Sequence, residues 1–320
     1  MAGRSLCVAA VQLASQNGER EANLARAAAW VAQAAQHGAQ LVLLPELFSG
    51  GYWLDERAWD MAEPQDGPTE TWLRAMARAH RVHLGGSYLQ ARGEDFFNVF
   101  ALATPAGDIA GRIPKQRPAS VEAYLFRGQA SSHIIATAIG RIGVGICYDN
   151  LFRFMPEALI AGDADLVLMP FSAPTPQQRW YYGRRQAQAF LASFRHAART
   201  YARLLGRPAV QANKSGPWRS TLPAFFPAQD SRFDGQSQIA DGDGSVVAQL
   251  GAEQTVIVGE VTLDPARKIC SLGPRRRGHG SWITPVPAEF RLYWMIEAMG
   301  ARAYRKSERR RARALARSAS

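Results

Sequence analysis

Four side chains in this chain have the types and settings to do chemistry together. Cys147 ends the apolar run Ile142-Gly143-Val144-Gly145-Ile146 and precedes Tyr148-Asp149-Asn150. Glu46 follows the run Leu41–Leu44 and Pro45, and Lys115 follows Arg112-Ile113-Pro114. Glu122 lies seven residues beyond Lys115, ahead of Tyr124-Leu125-Phe126-Arg127-Gly128. A thiol, two carboxylates and an ammonium are the parts of an acyl-transfer site. A thiol of pKa ~8.5 is mostly protonated at neutral pH. A neighbouring ammonium lowers that pKa and a carboxylate can accept the proton. The oxyanion that develops on the substrate needs donors to hold it. Singly, each residue has a plainer reading: a Cys ending an apolar strand is commonly inert core, and a lone Glu or Lys after a strand is commonly a solvated loop charge. Their joint placement at strand ends is what argues for chemistry, because ligand crevices of layered α/β folds form there.

The elements that must position them alternate along the chain. Strand-like runs cover Leu6–Leu13, Leu41–Leu44, Val82–Leu89, Phe96–Ala103, Asp108–Ile113 and Leu166–Met169. A hairpin is expected from Ile134–Ala138 and Ile142–Ile146 around Gly140-Arg141. Late strands fall at Ala209–Asn213, Gln238–Ala240, Ser245–Leu250 and Thr255–Val261. Apolar residues at helical spacing predict helices over Glu21–His37, Thr69–His80 and one long helix over Gly183–Leu205. Short continuous apolar runs suit strands covered on both faces. Mixed strands, helices and hairpins indicate a layered α/β domain over residues 1–300, followed by a basic Arg/Ala-rich tail, 301–320, expected to be a frayed helix or disordered.

Composition narrows the function classes. Apolar residues are 47% of 320 and charged residues 20%, enough for a sizeable core. No apolar run approaches the ~20 residues that cross a bilayer, and the N-terminus lacks a signal-peptide pattern, so a cytoplasmic protein is expected. Three dispersed cysteines, Cys7, Cys147 and Cys270, argue against a disulfide framework and a zinc site. The net charge of +11 is concentrated: residues 301–320 carry eight basic side chains and one acidic, leaving only +4 for the rest. Nucleic-acid binding is therefore expected, if anywhere, only through the tail. His80, His83, His133 and His196 keep a Cys–His hydrolase open as a rival, although none sits in a motif-like setting.

Taken together, the pieces resemble the nitrilase superfamily of carbon–nitrogen hydrolases over roughly residues 5–265. They are Val11-Gln12-Leu13, Leu43-Leu44-Pro45-Glu46, the Lys115 segment, Glu122 with Phe126 and Gly128, and Gly143–Asp149. Asp165–Pro170 with Ser172, Asn213 with Gly216, and Gly235–Ile239 before Asp243-Gly244 also match. The resemblance implies an α-β-β-α sandwich that assembles into four layers, no cofactor, no metal, and a homo-oligomer. It implies a Glu46–Lys115–Cys147 triad that forms a thioester on Cys147. Glu46 serves as general base, Lys115 and the backbone N–H of Tyr148 hold the oxyanion, and Glu122 orients Lys115 or the substrate.

Cys147-Tyr148-Asp149 is similar to the amidase and carbamoylase branches, so amide or N-carbamoyl hydrolysis is expected ahead of nitrile hydrolysis. Two departures flank the pocket: Met155-Pro156-Glu157 arrives late after Cys147, and Gln116-Arg117-Pro118 follows Lys115. Tyr52, Trp53, Tyr124, Tyr148, Arg153, Phe171 and Trp180 are candidates to line an aromatic pocket around a small-molecule substrate, with Arg153 as anchor for an acidic one. Asn213 and Ser237 read as hydrogen bonders at turns. Phe290, Leu292, Tyr293, Trp294, Met295 and Ile296, with the helix 183–205, are candidate subunit-interface elements. A competing expectation is a catalytically silent hydrolase-like protein whose tail binds polyanions.

Overall fold

The computed structural model describes residues 3–178, 183–274, 283 and 290–319. The first half of the chain forms β1 (Arg4–Gln12), α1 (Arg20–Gln36), β2 (Leu41–Leu43), α2 (Pro68–His80), β3 (His83–Arg92), β4 (Asp95–Ala103) and β5 (Ile109–Pro114). The second half forms β6 (Ile134–Thr137), β7 (Gly140–Val144), α3 (Phe154–Ala161), β8 (Leu166–Pro170), α4 (Arg184–Arg195), α5 (Ala197–Leu205), β9 (Ala209–Ala212), β10 (Ser215–Ser220), β11 (Gln229–Asp234), β12 (Gln238–Ala240), β13 (Val246–Gln249) and β14 (Thr255–Leu263). Two C-terminal helices follow, α6 (Phe290–Lys306) and α7 (Glu308–Ser318).

Alternation along β1 explains the layering. Leu6, Val8 and Ala10 point into the core shared with Val144, Val210 and Ile239 of the second half. Ala9 and Val11 point the other way, under Val31 and Ala34 of α1 and Leu73 and Ala77 of α2. Both faces of the strand are therefore dry, as its unbroken apolar sequence requires. Two six-stranded sheets result, ordered β14-β1-β2-β3-β4-β5 and β13-β12-β9-β8-β7-β6. Each has three parallel strands at its centre, β1, β2 and β3 in one and β7, β8 and β9 in the other, with antiparallel strands outside. The expected α-β-β-α sandwich is what forms, with α1 and α2 outside one sheet and α3 and α5 outside the other.

Three local expectations change. The single helix over 183–205 is two, broken at His196. Side chains of the neighbouring sheet serve the broken turn: Gln211 Nε2 donates to Phe194 C=O (3.1 Å), Gln211 Oε1 accepts from Ala198 N–H (3.3 Å), and Gln238 Oε1 accepts from Arg199 N–H (3.0 Å). The hairpin turns two residues earlier than Gly140-Arg141, at Ala138-Ile139, since Thr137 pairs with Gly140. A separate two-stranded ribbon, β10 with β11, occupies a region to which the sequence pattern assigned no element.

The C-terminal segment is also structured, in place of the frayed or disordered tail expected from Arg302. The 300/301 boundary falls inside α6, which packs on the turn at Ser120–Tyr124, while α7 packs on β3 and β4. Charge explains the docking. Arg310 is buried, with Nη1 2.9 Å from Asp95 Oδ1 and a further bond to the carbonyl of Glu94. Arg309 reaches Glu56 at 2.8 Å and Arg313 reaches Asp60 at 3.4 Å. Tyr304 Oη accepts the N–H of Phe96 at 2.8 Å. Arg309, Arg310 and Arg313 are thus engaged with the body's own acids.

Candidate active site

Each reacting side chain leaves the end of a strand. Glu46 follows β2, Lys115 follows β5, and Cys147 lies three residues beyond β7 at the head of the 3-10 turn Cys147–Leu151. Cys147 and Leu47, the residue after Glu46, both adopt left-handed backbone, φ 48° and 46°. That conformation costs a non-glycine residue roughly 1–2 kcal/mol, and the surrounding contacts hold it. Asn150 Nδ2 donates to the carbonyls of Gly145 (2.6 Å) and Cys147 (3.1 Å). Gly145 is needed for that grip, because a Cβ there would lie 2.0 Å from Asn150 Oδ1. Across the site, Asp149 accepts the N–H groups of Gln116 (2.9 Å) and Arg117 (2.8 Å), tying the Cys147 turn to the Lys115 loop.

At the centre, Glu46, Lys115 and Glu122 are fully buried. Lys115 Nζ donates to Glu46 Oε1 at 2.7 Å and to Glu122 at 2.8 and 3.1 Å. Burial alone would pull the amine down, but Glu122 and Glu46 outweigh it and hold the ammonium well above the ordinary lysine range. Glu122 also accepts from Tyr52 Oη (2.8 Å) and from Ala119 N–H (2.6 Å). Burial raises its carboxyl against the pull of Lys115. Glu46 Oε1 takes a second bond from Asn98 Nδ2 at 2.8 Å, whereas its buried Oε2 has no hydrogen-bond partner. Cys147 shares this electrostatic site. Burial first, then the Glu46 carboxylate, push the thiol well above its usual value, while Lys115 and a hydrogen bond to the Ser172 backbone oppose them. The thiol thus shares the site with a carboxyl oxygen, Glu46 Oε2, that no other group engages.

Above Cys147 opens a cavity of about 380 Å³, lined in part by Tyr52, Tyr148, Phe194, Trp218, Phe226 and Tyr293. A second cavity, about 510 Å³, lies near Arg117, Arg127 and Glu297 and does not include Cys147. Of the other pocket candidates, Trp53 lies elsewhere, 4.4 Å beneath the Arg57 guanidinium. Tyr124 lies behind the cavity, packed between Gly300 and Phe226. Phe171 is buried against Phe194 (5.7 Å) and its carbonyl accepts the N–H of Glu46 at 3.2 Å. Arg153 is turned away, held by Glu157 (2.7 Å) and the Gly273 carbonyl (2.8 Å), so it supplies no anchor for an acidic substrate. Trp180 lies outside the described residues.

Among the histidines, His133 bonds Val144 C=O (3.1 Å) and Gln116 Oε1 (3.0 Å), away from the thiol. Asn213 and Ser237 bond each other and the neighbouring backbone at strand ends, as their settings suggest. Sequence reasoning named Tyr52 and Tyr148 of the aromatic wall but missed the rest of it, Asn98, and the contact of buried Lys214 Nζ with Leu47 C=O (3.0 Å). Asn98 had a signal: it is the lone polar residue amid Phe96-Phe97-Asn98-Val99-Phe100. Among the described residues, no group of three or more His, Cys, Asp or Glu is arranged to hold a metal ion, and no helix is long and apolar enough to cross a membrane.

The sequence matches the carbon-nitrogen hydrolase family over residues 7–269. It is 28% identical over 274 residues to N-carbamoylputrescine amidase of Oryza sativa subsp. japonica, covering 82% of this chain and 88% of that one. The fold superposes on a carbon-nitrogen hydrolase from Helicobacter pylori G27 with TM-score 0.70 at 18% identity, over 95% of this chain and 96% of that one. It also superposes on a mutant amidase from Nesterenkonia sp. AN1 carrying the acetamide moiety of fluoroacetamide on its active-site cysteine, with TM-score 0.65 at 22% identity, over 80% and 89% of the two chains. With a family match that spans most of its length, this chain belongs to the carbon-nitrogen hydrolase family of the nitrilase superfamily.

Proposed function

We propose that this carbon–nitrogen hydrolase cleaves a small non-peptide amide or N-carbamoyl compound through a thioester on Cys147. The observation that carries the reading is the buried Glu46–Lys115–Glu122 cluster in electrostatic contact with the Cys147 thiol. The amidase names of its relatives support the substrate class, and the covalent cysteine adduct of the Nesterenkonia amidase supports the intermediate.

With Glu46, Glu122 and Lys115 charged, the cluster is already net negative, so a free thiolate is disfavoured. The proton of Cys147 Sγ therefore passes to Glu46 Oε2, the oxygen without a partner, as sulfur attacks the carbonyl carbon. The C–S bond forms and the carbonyl oxygen becomes an oxyanion. Lys115 Nζ turns its longer contact, the one at 3.1 Å to Glu122 Oε1, toward that oxygen, and the Tyr148 N–H is the second donor. Glu46 returns the proton to the leaving nitrogen and the C–N bond breaks. Water then loses a proton to Glu46 and attacks the thioester. The C–S bond breaks, and Glu46 reprotonates the sulfur. A second copy of this chain is proposed as its partner, with the exposed Leu292 and Met295 of α6 as contact residues.

The test is ammonia release across panels of amides, N-carbamoyl compounds and nitriles. Wild type is expected to hydrolyse members of the first two panels, and Cys147→Ala none. Equal turnover by Cys147→Ala would remove the nucleophile from this scheme.

A further inference from the structure

The walls of the cavity above Cys147 say what kind of group lies beside the scissile bond. Phe190, Phe194, Trp218, Phe226, Tyr293 and Ile296 supply most of its bulk. No Asp, Glu, Lys, Arg or His is among the described residues that line it. Several of its polar groups are already engaged. Trp218 Nε1 donates to Tyr52 C=O (2.7 Å), Tyr52 Oη to Glu122 (2.8 Å), Ser172 Oγ to Glu46 C=O (2.7 Å) and Gln229 Nε2 to Pro227 C=O (3.1 Å). Thr175 Oγ1 is committed to Asp234. The Arg153 guanidinium is bound elsewhere.

We infer that the site takes substrates whose group beside the scissile C–N bond is uncharged and apolar, a short alkyl chain or an aryl ring. This rests on the hydrolase reading above and narrows it. A volume of about 380 Å³ falls within the ~300–1,000 Å³ of small-molecule pockets. Within it an alkyl chain is desolvated against aromatic rings, which favours each added methylene. A carboxylate or ammonium at the far end would lose its water and find no counter-charge among the described lining residues, a costly transfer.

The experiment compares kcat/KM for acetamide through hexanamide and phenylacetamide with ω-carboxylate and ω-ammonium amides of matched length, by ammonia release. The neutral series is expected to rise about fourfold per methylene until the cavity is full. The charged analogues are expected on the order of 100-fold below their neutral counterparts. A charged amide turned over as well as its neutral counterpart overturns the inference and leaves the hydrolase reading standing. Absence of turnover for every compound overturns the amide half of the hydrolase reading instead. In that event, fluorescence titration of Cys147→Ala, through Trp218 in the cavity wall, still ranks the same compounds as ligands. Neutral apolar compounds binding first upholds the inference, and charged compounds binding equally or better refutes it.

Discussion

Replacing Lys115 by Met tests the electrostatic centre most directly. The methionine keeps much of the apolar stem and removes the charge. In the wild type the ammonium spends its contacts on Glu46 Oε1 and on both oxygens of Glu122, with all three side chains at zero exposure. Without it, two carboxylates share a fully buried site. Removing one partner from a buried ion pair costs about 3–5 kcal/mol, and that is the loss expected for Lys115→Met at pH 8. The site relieves the repulsion by protonating one carboxylate, whose folded pKa rises above its unfolded value of ~4.3. A carboxyl raised in this way stabilises the fold below its unfolded pKa and loses that contribution as pH rises through the folded pKa. The deficit relative to wild type therefore grows from pH 5 to pH 8.

Urea unfolding of both proteins at pH 5, 6.5 and 8 reads it. The double variant Lys115→Met/Glu122→Gln removes the second charge as well, and is expected to recover about 2 kcal/mol of the loss at pH 8. Its kcat/KM nevertheless stays down by about 10³, since losing an oxyanion donor alone costs ~10²–10³. A single variant less than about 1 kcal/mol below wild type, with no dependence on pH, would refute the claim that Lys115 balances two ionised carboxylates.

Lys214 is fully buried, and burial pushes its amine down to about 7 against the pull of Glu46. A depressed lysine pKa contributes stability above the unfolded value and loses it as pH falls toward the folded one. Lys214→Met should thus gain on wild type by on the order of 2 kcal/mol between pH 9.5 and pH 7, read by guanidinium unfolding. Asp149→Asn sets an amide NH₂ against one of the two backbone N–H groups that Asp149 now accepts, costing about 1–3 kcal/mol. Activity measurements should show kcat falling with KM little changed, because the disturbed backbone carries Lys115. Burial holds Asp149 up at about 7, so wild type loses that group's contribution as pH rises from about 4 through 7, and the variant's deficit shrinks over that window. Arg310→Ala leaves Asp95 and the Glu94 carbonyl without their buried partner, and a melting curve should show a loss of about 3 kcal/mol. A melting curve superimposable on wild type would mean that α7 adds nothing to the fold.

What could be read along the chain was whatever is encoded locally. The unbroken apolar runs of β1, β2, β7 and β8 announce strands buried on both faces. Glu46 and Cys147 are legible because each comes after such a run, and Lys115 because it follows the end of a strand-like segment. The docking of the basic tail stayed hidden because charge was counted along the chain. In three dimensions Arg309, Arg310 and Arg313 face Glu56, Asp95 and Asp60, more than two hundred residues earlier. The break at His196 was hidden for the same reason: the glutamines that serve it sit on β9 and β12, in separate segments.

The cavity wall shows the limit most clearly. Its side chains come from α4, the β10–β11 ribbon with its loop, and α6, each with an apolar pattern that ordinary core packing would also require. A nucleophile needs a particular atom at a particular strand end, so its position leaves a mark in the sequence. A wall needs only bulk and the absence of charge, which any apolar residue meets. The same freedom lets walls diverge while the centre is kept, and a charge introduced from one of these remote segments, Leu222→Arg on the ribbon loop for instance, should shift preference toward carboxylate-bearing amides without touching the Glu46–Lys115–Cys147 geometry.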